Sequence, residues 1–122
     1  MKLEEPQALD AFGALSQETR LRMVRVLVQA GPEGLSAGAV GEAVGASSSG
    51  ASFHLAHLER SGLIASRRES RSIIYSARYD TLAGLVEFLM RDCCSGHPEI
   101  CAPAAAAAAA CSAVPKEIAC VC

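Results

Sequence analysis

The sequence predicts a mainly α-helical fold carrying one small β-hairpin, and three observations point there. Apolar residues recur at helical spacing in five separate segments. Two adjacent runs, 63–68 and 72–77, read as short strands joined by Glu69-Ser70-Arg71. The chain is 51% hydrophobic but has only three phenylalanines, two tyrosines and no tryptophan, so its core is aliphatic. Such a core suits packed helices better than a β-sandwich, and 122 residues fit one folded domain.

The elements follow in order. Residues 8–15 place Ala8, Phe12 and Leu15 on one stripe. Ser16 is expected to cap a second helix running to Ala30, with Leu21, Val24, Leu27 and Val28 on a common face; Gly31-Pro32 stops it. Ser36 caps a short third helix, 37–44, carrying Ala39, Val40 and Ala43, and Gly45 ends it. After a turn of about three residues, Ser47 caps a fourth helix, 48–61, whose Ala51, Leu55 and Leu58 are spaced for burial. Gly62 breaks the helical pattern before the hairpin. Asp80 or Thr81 caps a last helix, 81–92, striped by Leu82, Leu85, Val86, Leu89 and Met90. Since the domain is complete by its hairpin, this stripe needs another partner, and the first and last helices are expected to build a homodimer.

Helix, short turn, helix, then a hairpin wing is the winged helix-turn-helix order, which lays its second helix in the major groove of DNA. The charge distribution agrees. The net charge is −2, yet residues 51–78 hold five Lys/Arg against two Asp/Glu, between acidic flanks. DNA binding needs a basic face, not a basic total. Ser47, Ser48 and Ser49 offer hydroxyls and free amides to phosphate, Ser52, His54 and His57 reach toward bases or backbone, and Arg67, Arg68 and Arg71 arm the wing. No catalytic constellation competes: the histidines lack a nucleophile partner at recognisable spacing, and no phosphate-binding loop carries a nucleophile.

The stretches Ala14–Arg22, Ser52–Ile64 and Arg67–Arg71 resemble the opening, the recognition helix and the wing of the ArsR/SmtB metalloregulators. The resemblance covers residues 8–92. It implies a homodimeric repressor that binds double-stranded operator DNA and leaves it when metal binds. Two departures stand out. Ser70 occupies a wing position where the family often has glycine, which suggests a different turn form. The cysteine pair that many members carry in the third helix is missing from Glu33–Val40, and the last helix lacks the spaced Asp and His of the family's zinc site.

Sensing chemistry is therefore expected beyond the domain. All six cysteines, Cys93, Cys94, Cys101, Cys111, Cys120 and Cys122, lie in the last 30 residues. The N-terminus lacks an apolar stretch for a signal peptide and no window reaches the ~18 apolar residues of a membrane span. A cytoplasmic setting without membrane contact is expected, where clustered thiols read as metal or redox ligands rather than disulfides. Cys93, Cys94 and Cys101 supply three soft thiolates, which suit As(III) or Sb(III) as inducer. The run Cys93–Cys101 resembles the C-C-x-G-x-P-E-x-C segment of an arsenite-responsive branch of the family. Zinc or cadmium, with His97 as a fourth ligand, and a thiol redox switch are the alternatives within the same fold. A metal-sequestering protein is the alternative outside it. The expected organisation is a DNA-binding and dimerisation domain (1–92), a sensing segment (93–101) and an Ala/Cys-rich tail (102–122), mobile or partly ordered. Cys111, Cys120 and Cys122 are further candidate ligands.

Overall fold

In the computed structural model, which describes residues 2–91, helices and a small sheet alternate. The order is α1 (Glu5–Leu15), α2 (Glu18–Ala30), β1 (Leu35–Ser36), α3 (Ala37–Val44), α4 (Ser48–Arg60), β2 (Ile64–Glu69), β3 (Ser72–Ala77) and α5 (Tyr79–Met90). The chain divides into two units, 1–88 and 89–122. The first holds nearly everything that follows, and of the second only the end of α5 is described. All six cysteines, and with them the expected sensing segment and tail, lie outside the described residues.

Local chemistry explains the helix boundaries. Pro6 sits in the first turn of α1, where a missing N–H costs nothing. Gln7 reaches back to accept from the Glu4 amide at 2.9 Å, so the helix starts three residues before the expected Ala8. Its small residues Ala8, Ala11 and Ala14 are buried.

The cap of α2 differs from expectation. Gln17, not Ser16, holds the Arg20 amide at 2.8 Å. The Ser16 hydroxyl instead donates back to the Gly13 carbonyl at 2.8 Å and closes α1. Of the expected α2 face, Val24 and Leu27 are buried, joined by Met23, whereas Leu21 and Val28 are exposed. The expected stripe spans more of the helix circumference than one packed layer covers. In α3, Val40 and Gly41 are buried and Ala43 is exposed.

The core forms where α2, α3, α4 and β2 meet, around Met23, Leu27, Val40, Leu55, Leu58, Leu63 and Ile64, all below 2% exposed. The α3–α4 turn is set by Gly45, which takes a left-handed conformation (φ 71°, ψ 28°) and returns its amide to the Glu42 and Gly41 carbonyls. A side chain at Gly41 would stand 3.0 Å from the Ala51 Cβ, so the close crossing of α3 and α4 favours glycine there.

The sheet is antiparallel with order β1-β3-β2. The hairpin pairs Ile64 with Ala77 through to Glu69 with Ser72, leaving Ser70-Arg71 as a two-residue turn. The third strand, β1, pairs Leu35 with Tyr75 and was not expected. Two residues have no periodicity to read.

Ser70 does adopt the left-handed region (φ 56°) that its side chain disfavours. Positive φ at the first position of a two-residue turn is a glycine preference. Ser70→Gly is therefore expected to stabilise the domain by about 0.5–1 kcal/mol, net of the glycine's greater freedom when unfolded. Chemical denaturation would show it as a raised midpoint; a lowered midpoint would contradict the turn geometry.

Among the described residues no helix is long and apolar enough to cross a membrane. Helix α5 starts two residues before the expected Thr81. Arg78 bonds Asp80 at 3.0 Å and, chiefly through that hydrogen bond, holds its carboxyl below the usual carboxylate range. Leu85 is buried on α5, while Val86 and Leu89 are exposed, as is Leu9 on α1.

Candidate nucleic-acid interface

Helix α4 turns Ala51, Leu55 and Leu58 into the core. By the 100° step of a helix, Ser49, Ser52, Phe53, Ala56 and Arg60 then line the outward side, and all five are exposed. Glu59 lies on one flank, where it accepts from the Ser66 hydroxyl of β2 at 2.6 Å and ties the helix to the wing. On the other flank stand His54 and His57, both half-buried.

The N-terminus of α4 has the features of an anion site. Ser47 Oγ accepts the Gly50 amide at 3.1 Å, and the Ala51 amide reaches the Ser47 carbonyl at 2.7 Å. The amides of Ser48 and Ser49 are the first two of the helix and have no intrahelical acceptor. With the hydroxyls of Ser48 and Ser49 exposed beside them, the positive end of the helix points at solvent. A shallow cleft between α3 and α4 has Ser48 and Ser52 on its wall, but Glu42 shares it and disfavours an anion there. The outward side of the helix is the better phosphate approach.

Arg20, absent from the expected site, organises the histidine flank. Its Nε donates to the Ala14 carbonyl at 2.8 Å, and Nη1 lies 3.4 Å from His54 Nδ1. A guanidinium only donates, so this bond makes Nδ1 the acceptor and leaves the proton on Nε2, a donor at the helix surface. His57 is pushed below the usual histidine value, first by desolvation and then by the positive charges of Arg20 and Arg60. The shift favours its neutral form, a hydrogen-bonding group, over the cation.

The wing arginines divide. Arg67 is held at home: its Nε pairs with Glu69 at 2.6 Å, and its other nitrogens donate to the Glu33 carbonyl at 2.6 Å and the Pro32 carbonyl at 3.3 Å. Strand alternation puts Arg68 on the opposite face, and Arg71 sits in the turn; both are exposed. Arg67 is exposed too but engaged, so the exposed cations of this surface not held by such bonds are Arg60, Arg68 and Arg71. Arg60 escaped sequence reasoning because it falls in the last turn of the helix, past the first turns that reach base edges. Phe53 escaped it too, although an aromatic out of phase with Ala51, Leu55 and Leu58 was a readable signal.

Residues 15–67, spanning α2 to the start of the wing, match the model of a family described as a helix-turn-helix domain. The HTH-type transcriptional regulator YceK of Bacillus subtilis is 43% identical over 82 residues, covering 64% of this chain and 81% of the relative. An ArsR-like transcriptional regulator from Rhodococcus sp. RHA1 superposes with a TM-score of 0.66 at 27% identity, covering 80% of this chain and 89% of that one. The chain belongs to the ArsR family of helix-turn-helix transcriptional regulators. This ArsR-family protein binds DNA through its helix-turn-helix and is not an enzyme. A homodimeric winged helix-turn-helix DNA-binding domain from Mycobacterium bovis is similar as well, with a TM-score of 0.58 at 26% identity over 75% of this chain and 85% of that one. Among the described residues of this ArsR-family chain, no cluster of His, Cys, Asp or Glu could hold a metal ion.

Proposed function

We propose that this regulator is a homodimeric repressor that leaves its operator when As(III) or Sb(III) binds the thiolates of Cys93, Cys94 and Cys101. The observation that carries the reading is the cysteine distribution. Residues 1–92 contain no cysteine, and a pair opens the segment just after α5. Three thiolates match the softness and coordination number of a trivalent metalloid. Cys111, Cys120 and Cys122 are further donors in the same stretch. The organisation proposed with it is a DNA-binding and dimerisation domain over 1–92, a sensor over 93–101 and a tail over 102–122.

Dimerisation through α1 and α5 is supported by the exposure of Leu9, Val86 and Leu89, and by the homodimeric relative. On DNA, Ser47, Ser48 and Ser49 hold phosphate at the start of α4. Ser52, His54 and His57 approach bases and backbone, and Arg68 and Arg71 reach phosphate from the wing. Arg67 first has to leave its carbonyl partners. A ligand closing on residues next to α5 acts at the edge of the dimer helix and shifts the spacing of the two reading heads. To move the population from ~99% binding-competent to ~1%, it must favour the off-DNA state by ~5.5 kcal/mol.

The test uses the full chain under reducing conditions, on duplexes enriched from a random library. Arsenite and antimonite are expected to release the DNA. The Cys93→Ser/Cys94→Ser protein is expected to bind DNA equally well and to hold it in their presence. Release by zinc or cadmium alone would replace the metalloid with a divalent ion at Cys93, Cys94, Cys101 and His97. Metalloid release that survives the double substitution would remove the site assignment.

A further inference from the structure

Phe53 is the large apolar side chain on the outward side of α4. It is 63% exposed, about 200° around the helix from the buried Ala51. Its outward neighbours Ser49, Ser52 and Ala56 are small, so the ring protrudes beyond them at mid-helix. It does not contribute to the core, which draws on the opposite face.

The ring is also held in place. It meets the His54 imidazole edge to face, with centroids 5.6 Å apart and planes at 72°. His54 is in turn fixed by Arg20, which is anchored on the Ala14 carbonyl. A pre-positioned side chain loses little freedom on binding.

A phenyl ring has neither donor nor acceptor to offer. In the major groove the apolar group at a base edge is the thymine 5-methyl; cytosine presents an amine and the purines present acceptors and an amine. Placing the ring against those polar edges would strip their water without replacing it.

Resting on the DNA-reading role of α4 proposed above, we infer that Phe53 is a specificity-determining residue that reads a thymine through its 5-methyl group. Each half-site then has one thymine whose methyl is in contact with the ring. The Arg20–His54 pair is the support that aims it.

Deoxyuridine lacks only that methyl and so isolates the contact. The experiment enriches duplexes from a random library with the full wild-type chain, then replaces each thymine singly by deoxyuridine. One replacement per half-site is expected to weaken wild-type binding about four-fold, the worth of one buried carbon. Phe53→Ala is expected to bind the two duplexes equally, and Phe53→Leu, which keeps an apolar tip, to retain the preference. Wild-type indifference to deoxyuridine at every thymine overturns the inference while leaving DNA reading by α4 intact. So does an unchanged preference in Phe53→Ala. Failure to enrich any sequence would overturn the DNA-reading role of α4 itself.

Discussion

Gly34→Ala is expected to lower the unfolding free energy by about 3 kcal/mol, from left-handed backbone strain plus a steric clash. Gly34 has φ 73°, and a Cβ there would run into the Tyr75 carbonyl oxygen and stand 2.9 Å from Ile74 Cγ2. Neither neighbour can give way cheaply. Tyr75 is paired in register with Leu35 across β1 and β3, so moving its carbonyl opens the seam that attaches the wing to α3. Gly45→Ala is the matched control, because φ is similar (71°) and nothing lies within 4 Å of its Cβ. It should lose only the conformational part, about 1 kcal/mol. For a domain of this size the two substitutions correspond to melting shifts of roughly 15–20 °C and about 5 °C. Both are to be measured at one protein concentration, since dimerisation couples stability to concentration. Equal losses in the two variants would mean that β1 does not approach β3 as closely as described.

That contrast also shows what the sequence could carry. Ser36, Ser47 and Gly45 act at single helix ends, and each was readable because its cap chemistry points in one direction along the chain. Ser16 stands between two helices, where one hydroxyl can serve either, and only the geometry decides that it closes α1. The spacing of Ala51, Leu55 and Leu58 determines which side of α4 is buried, and therefore which side meets DNA. Charge reading was weaker. Arg67, Arg68 and Arg71 look alike in sequence, but strand alternation and two loop carbonyls 34 and 35 residues away separate the first from the others. Arg20 contributes through the carbonyl of α1 and the imidazole of α4, contacts that no local pattern encodes. The cysteines were the plainest chemical signal in the chain, and they fall outside the described residues.

Replacing Arg60, Arg68 and Arg71 together by alanine should strip most of the electrostatic binding while sparing the fold. All three are exposed, and none has a place in the core. Each neutralised phosphate contributes about 0.9 to the slope of log affinity against log salt. Removing three such cations from a protomer therefore flattens the slope by about 2.7, or by about 5 when two copies sit on one duplex. Near physiological salt the affinity falls on the order of 100-fold per protomer, uniformly across DNA sequences, since phosphates carry no base identity. Arg67→Ala is expected to behave differently. Its charge is already paired with Glu69, and its nitrogens hold the Pro32 and Glu33 carbonyls. Removing it should lower stability more than it flattens the salt slope. His57 is a poor substitute for the missing cations at pH 7, because desolvation and the neighbouring arginines hold it below the usual histidine value. Salt titrations of the wild type, the triple variant and Arg67→Ala on one duplex separate these effects. A triple variant with the wild-type slope would show that phosphate is held by the amides and hydroxyls at the start of α4 alone.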